Sequence, residues 1–386
     1  MIRRESRLAR WQGLASLALA MLLYDRMKLV GAVTGVVFAT VLAAQQGGVF
    51  LGLMRKNTML VDNSDADVWI VPKGTRLVQG SAPIPERVIY EARTTPGVAW
   101  ASPLLWVVGS ARVPGKGTDG VTLIGYDIET GHGGPWNVAA GDVTALRQPN
   151  AVFMESSDRS RLGGLDVGTI TEINGHRVQV VGFTSGLLPF GPGYAFADID
   201  LARDVGGRTD RDPSFILIGA AEGQRPEELA ARLQERLPAY TVYTREQFSS
   251  AVIAYFLFEG AMGVTFGTST FFGFLVGLVI VGLTMFSAVV DNIREFGTLK
   301  AIGATNGDLA RILLVQAIFY ASVGSGMGLL LVSGMAHGMR SPKLALVLPW
   351  WLVASLPVIM LVICVFSSGL ALLRLRNLEP AIVFRG

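Results

Sequence analysis

The chain has 386 residues, 51% hydrophobic and only 16% charged, against roughly 25% charged in soluble domains. A net charge of +3 and a pI near 9.1 do not mark a nucleic-acid partner here, because the basic residues flank apolar runs instead of gathering on one soluble segment. The single cysteine, Cys364, lies inside the last apolar run, which excludes an intrachain disulfide and a cysteine-based metal site.

Residues 1–28 are basic and partly amphipathic, with Arg3, Arg4, Arg7, Arg10, Arg26 and Lys28 around an apolar stretch at 14–24. No small-residue cleavage site follows, so the expectation is a helix over 8–24 lying along the cytoplasmic surface of the membrane, with a cleaved signal as the alternative. Residues 29–54 carry no charge and close on Arg55 and Lys56, the pattern of a first transmembrane helix. Gly31/Gly35 and Gly48/Gly52 give it small-xxx-small spacing for close helix contact.

Residues 55–260 have soluble composition. A strand at 66–71, a helix at 83–94 and a strand at 98–108 form one β-α-β unit. A strand at 214–220, a strongly amphipathic helix at 225–237 and a strand at 240–243 form another. These halves, at about 57–108 and 208–246, frame an insert at 109–207 with strands at 121–126, 151–155, 169–173 and 177–183. Asn174-Gly175 between two of them signals a hairpin. The predicted fold of this part is α+β, an α/β base carrying a β-rich lobe.

Several motifs in it are decoys. The stretch GSARVPGKGT at 109–118 has the wrong spacing for a phosphate loop, with Pro114 in the turn and no Ser or Thr after Lys116. His132, His176 and His337 lack ligand-like spacing, and His132 reads as a turn residue. Asp62, Asp65 and Asp67 alternate with apolar residues at a strand entry and read as a solvated edge. The loop GLLPFGPGY at 186–194 is different. Leu187, Leu188 and Phe190, held by proline and glycine, suit an exposed contact tip or, equally, a buried loop cap.

A second transmembrane helix is expected at 261–290, extended outward by 247–258 as a helical stalk. The third, at 312–336, carries Gly324, Ser325, Gly326 and Gly328 for close packing. An outer turn at 337–345 leads to the fourth, at 346–373, with Pro349 near its entry and Pro357 placed to bend it. The chain is thus a four-helix membrane protein with one large outer domain and a tail at 374–386. Lysine and arginine counting puts the N-terminus, the 291–311 loop and the tail on the cytoplasmic side.

That 291–311 loop is the most patterned stretch of the chain. Ile293, Phe296, Leu299 and Ile302 recur every third residue, Arg294, Glu295 and Lys300 take other positions, and an amphipathic helix follows. Gly303 is placed to end it, and Thr305 with Asp308 to cap the next helix. Asp291 and Glu295, four apart, suit an electrostatic contact with a partner better than an acid/base pair.

The run REFGTLKAIGAT at 294–305 resembles the signature of FtsX/MacB-type permeases of ABC transporters, and LRNLEPAIVFR at 375–385 resembles the family's C-terminal ending. Arg294, Glu295, Gly297, Lys300, Ala301, Gly303 and Ala304 match the pattern. Phe296 departs from it, where an aliphatic residue is more usual, but keeps an apolar side for docking. The resemblance implies that this segment is a coupling helix that docks into a cytoplasmic ABC ATPase subunit. It implies a homodimeric permease in the bacterial inner membrane, with both termini cytoplasmic and no catalytic residue or cofactor of its own. ATP and magnesium would sit on the partner ATPase. Its DevC-like branch works with a periplasmic membrane-fusion adaptor, for which Leu187, Leu188 and Phe190 are the contact candidates. Mechanotransmission in an exporter is the implied mechanism; signalling to a cell-wall hydrolase and lipoprotein extraction are the alternatives.

Overall fold

The computed structural model describes residues 2–24, 26–79, 82–187, 191–291, 293–338 and 346–376. The chain divides into two compact units, one made of Met1–Leu51 with Val264–Gly386, the other of Gly52–Gly263. Helices α1 (Ile2–Tyr24) and α2 (Arg26–Asp62) open it. Then come β1 (Val68–Pro72), α3 (Arg87–Arg93), β2 (Val98–Val113), β3 (Gly117–Tyr126), β4 (Val138–Gly141) and β5 (Ala151–Glu155). β6 (Ile170–Ile173), β7 (His176–Thr184), β8 (Tyr194–Asp198), α4 (Ile199–Val205), β9 (Phe215–Ala220), α5 (Pro226–Arg236), β10 (Tyr240–Thr244) and α6 (Arg245–Ala254) complete the second unit. The chain returns through α7 (Ala261–Asp291), α8 (Ile293–Ala301), α9 (Asn306–Gly338) and α10 (Trp350–Arg376).

Among the described residues four helices are long and apolar enough to cross a membrane: α2, α7 over Gly263–Thr284, α9 over Asn306–His337, and α10 over Trp350–Gly369. Without a hydrophobic drive between helices in lipid, close approach depends on small residues. Here Gly324 and Gly328 of α9 lie against α2: an added Cβ would sit 2.6 Å from Val36 and 2.8 Å from Thr40. Ala32, Val36 and Ala39 of α2 share a core with Val281 of α7, Ala317 and Tyr320 of α9, and Met360 of α10. α10 begins only after Pro349, whose carbonyl accepts from the N–H groups of Leu352 and Val353 at 3.0 and 3.1 Å. Pro357 lies inside it.

The expected stalk, continuous from 247 into the membrane, is not what the backbone does. α6 ends at Ala254, a π-turn covers Tyr255–Glu259, and Gly260 is extended at φ −81°, ψ 144° before α7 starts. The Gly260 N–H donates to the Tyr255 carbonyl at 2.8 Å, the i→i+5 bond of a π-turn. α2, in contrast, is unbroken for 37 residues.

Among the described residues the ten strands join one sheet, in the order β10-β1-β9-β2-β3-β8-β5-β7-β4, with β6 beside β2 and β7. In the base the two split β-α-β units interleave: β9 lies between β1 and β2, and β1 lies between β9 and β10, all antiparallel neighbours. This is the ferredoxin-like order. α3 and α5 cover it over a core that includes Val68, Ile70, Val88, Ile216, Leu229 and Leu233. The lobe is not a separate sheet. β2 spans 16 residues; its first part pairs with β9 and its part from Leu104 onward with β3, so one strand belongs to both. Parallel pairs β3·β8 and β5·β7 continue the lobe over a core of Val107, Leu123, Val152, Phe183, Ala197 and Val205, among others. Asn174 (φ 49°) and Gly175 (φ 83°) turn β6 into β7, as a two-residue hairpin requires.

Candidate functional site

The patterned segment folds as α8, a turn, and the start of α9. Phe296 is 2% exposed and lies in a cluster with Ala18 of α1 and Leu309, Ile312 and Leu313 of α9. Leu14, Leu17, Met21 and Leu299 pack around it. The ring therefore faces into its own unit, which corrects the expectation that Phe296 presents an apolar side for docking. It also gives α1 a role: its apolar face covers α8 and α9. Gly297 is buried too, and Leu299, Lys300 and Ala304 are half-buried. Glu295, Thr298, Ala301 and Gly303 are exposed. Arg294 falls in α8 with its side chain outside the described residues.

Ile302 is the residue the pattern misplaced. A three-residue step on an α-helix falls short of a full turn by about 60°, so two steps from Phe296 leave Ile302 about 120° away. It is 80% exposed, in line with Glu295 and Thr298 at spacings of seven and four residues. An exposed isoleucine beside a carboxylate and a hydroxyl makes a ridge, and the buried face braces it.

The turn is firmly closed. Gly303 has φ +102°, a conformation that disfavours any side chain. Its N–H donates to the Lys300 carbonyl at 3.0 Å, and the Ala304 N–H to the Leu299 carbonyl at 2.8 Å. Asp308 accepts from the Thr305 N–H at 3.0 Å while its own N–H donates to the Thr305 hydroxyl at 3.2 Å, a reciprocal cap on α9. The Asp308 side chain is 2% exposed, and Arg311 donates to it at 3.1 Å. Such a cap contributes about 1 kcal/mol. The chemistry on offer is recognition: polar and apolar groups on a braced helix.

The second predicted contact region is built differently. Leu187 is 1% exposed, so it is a buried anchor and not a contact tip; Leu188 and Phe190 lie outside the described residues. The Leu187 N–H donates to Glu155 at 3.0 Å, and the Gly186 N–H donates to it at 2.9 Å. Thr184 also donates to this carboxylate, at 3.0 Å. Burial pushes the Glu155 carboxyl above the ordinary glutamate range, against the pull of these bonds. Sequence patterning gave no signal for this network.

Nor did it show what Asp65, Asp67 and His132 do. Asp65 pairs with His132 Nδ1 and accepts from the Gly133 N–H at 3.1 Å. The His132 ring stacks on Trp100 with centroids 3.5 Å apart. Asp67 accepts from the Ala220 N–H at 2.9 Å and from Arg245, the first residue of α6, at 3.3 Å. Asp62 and Asp65 are exposed, as a solvated edge requires, and Asp65 and Asp67 also act as clasps. Among the described residues no group of three His, Cys, Asp or Glu could hold a metal ion.

The family model for the MacB-like periplasmic core domain matches residues 29–236, more than half of the chain, and that for the FtsX-like permease C-terminal region matches 249–380. The chain belongs to the FtsX/MacB family of ABC transporter permeases. This permease is 25% identical over 360 residues to an uncharacterized ABC transporter permease of Mycobacterium tuberculosis, covering 92% of this chain and 93% of the relative. One from Methanocaldococcus jannaschii is 24% identical over 278 residues, 68% of this chain and 66% of its own. Among solved structures, the periplasmic region of MacB from Actinobacillus actinomycetemcomitans aligns with TM-score 0.38 and 10% identity, over 50% of this chain and 97% of that one. The extracellular domain of the noncanonic ABC-type transporter YknZ from Gram-positive bacteria aligns with TM-score 0.33 and 16% identity, over 46% and 99%. An ABC transporter permease works with an ATPase subunit, and the α8 ridge is the candidate place for it.

Proposed function

We propose that this permease is the membrane subunit of an ATP-driven exporter of the mechanotransmission type. A separate cytoplasmic ATPase, carrying ATP and magnesium, docks on Glu295, Thr298, Ala301, Ile302 and Gly303. Arg294, Lys300 and Ala304 flank that face, and Phe296 and Gly297 brace it from inside. Both termini are cytoplasmic and the Gly52–Gly263 unit is outside, as lysine and arginine placement favours. Two copies form the working permease, and a membrane-fusion adaptor contacts the outer unit near the 186–194 loop. Nucleotide state must favour one permease conformation over another, or nothing is transmitted. The unbroken α2 is the better conductor of that motion, because the path through α6 and α7 is interrupted at Gly260.

The observation that carries this reading is the braced turn between two membrane-length helices, with Ile302 80% exposed at its tip. The test is co-purification from native cells in mild detergent. The native chain should bring down an ATPase, and Glu295→Arg with Gly303→Trp should lose it while the permease stays folded. Absence of any ATPase from the native chain across several detergents would overturn the coupling assignment.

A further inference from the structure

The turn after β1 and the π-turn before α7 flank an open surface depression of about 560 Å³. Lys73, Thr75, Gln79 and Tyr255 line it, and among the described residues their side-chain polar atoms have no hydrogen-bond or ion-pair partner. Arg76, also in the wall, pairs with Glu259 at one side. Of these only the Lys73 ammonium must donate; Thr75, Gln79 and Tyr255 can turn donors toward a ligand whose oxygens only accept, and Arg76 offsets the charge of Glu259, which lines the depression too. Beside it the π-turn turns outward two apolar side chains, Phe258 at 81% exposure and Leu257 at 39%. Four residues after Glu259, at Gly263, the membrane-length apolar window of α7 begins. Aromatic and basic side chains at that position along a chain belong to the membrane–water boundary.

We propose that this depression holds the headgroup of a glycerophospholipid, with its phosphate on Lys73 and Thr75 and its acyl chains beside Phe258 and Leu257. The site stands on α7 entering a membrane and is independent of the exporter reading and of the ATPase contact. The lipid would tie the β1 turn to the point where the chain enters the bilayer, next to the break at Gly260.

Hydrogen exchange of the full chain in nanodiscs tests it. In phosphatidylglycerol discs the amides of 73–79 should exchange about tenfold more slowly than in discs of a phosphate-free galactolipid, the protection one charge-assisted contact gives. Lys73→Glu and the milder Lys73→Gln should each remove the difference, while the β10 amides stay protected as a folding control. Equal exchange in the two membranes, or protection that survives both variants, would overturn the site. Protection restored in galactolipid discs by inorganic phosphate would overturn the lipid as its source.

Discussion

The chain passes between its two units twice, and the two crossings are built on opposite principles. On the way out, α2 runs 37 residues without interruption and ends on the Asp65 and Asp67 clasps. On the way back, α6, a π-turn and an extended Gly260 precede α7. Helical hydrogen bonds are continuous in the first and interrupted in the second. On the proposed mechanotransmission reading, the first crossing is the one suited to carry a displacement along its axis. The same division holds within α8, where one face braces and the other is left for contact.

Substitutions can break this comparison. The largest effect is expected from Phe296→Ala, which empties a 2%-exposed site and costs about 3–5 kcal/mol, read as a lower thermal midpoint of the purified permease. Ile302→Glu, on the exposed side of the same segment, should leave that midpoint unchanged yet abolish ATPase co-purification. A proline in α2 at Leu53 removes one helical bond and clashes with the turn before it, a cost of about 3 kcal/mol or more. Nucleotide-dependent changes in hydrogen exchange at 63–67 should vanish with Leu53→Pro and survive Gly260→Ala. The reverse result would assign transmission to α7.

A third prediction concerns pH. The folded-state pKa of Glu155 is raised by burial, and so is that of Asp198, by burial and then by Asp200. A carboxyl raised on folding binds more protons folded than unfolded, so its contribution is full below the unfolded pKa and lost as pH rises through the folded one. The melting temperature of the Gly52–Gly263 unit should therefore fall as pH rises above the ordinary carboxylate range. Glu155→Gln should flatten that slope while costing about 1–3 kcal/mol, because an amide cannot accept from every N–H and hydroxyl aimed at it. The smallest effect belongs to the clasp at the end of α2. His132→Ala gives up a ring stack and a partly exposed hydrogen bond to Asp65, about 1 kcal/mol.

What the sequence revealed follows from how locally each feature is encoded. Asn174-Gly175 needs only two residues able to take positive φ, and the Thr305–Asp308 cap only four. The amphipathic period of α5 and the strands around it were equally readable. The interleaving of β1, β9 and β2 was not, since apolar strands pair equally well in either order and α3 and α5 settle the choice. β4 was missed because all four of its residues are exposed, which leaves no alternation to detect. β8 and α4 follow a Pro- and Gly-rich loop that masked them. The three-residue repeat in α8 placed Phe296 and Ile302 on one face, and helix geometry put them on different ones. In Gly186–Leu187 the decisive partner, Glu155, lies 31 residues away, beyond the reach of a local pattern.

The central claim is that the Glu295–Thr298–Ile302 ridge meets the ATPase. Single cysteines at 295, 298, 302 and, as a half-buried control on the braced face, 299 can be placed in a Cys364→Ser background and treated with a short bifunctional crosslinker in native membranes. Crosslinks to the ATPase are expected from 295, 298 and 302, and few from 299. Equal crosslinking from 299, or none from the ridge while the ATPase still co-purifies, would contradict the claim.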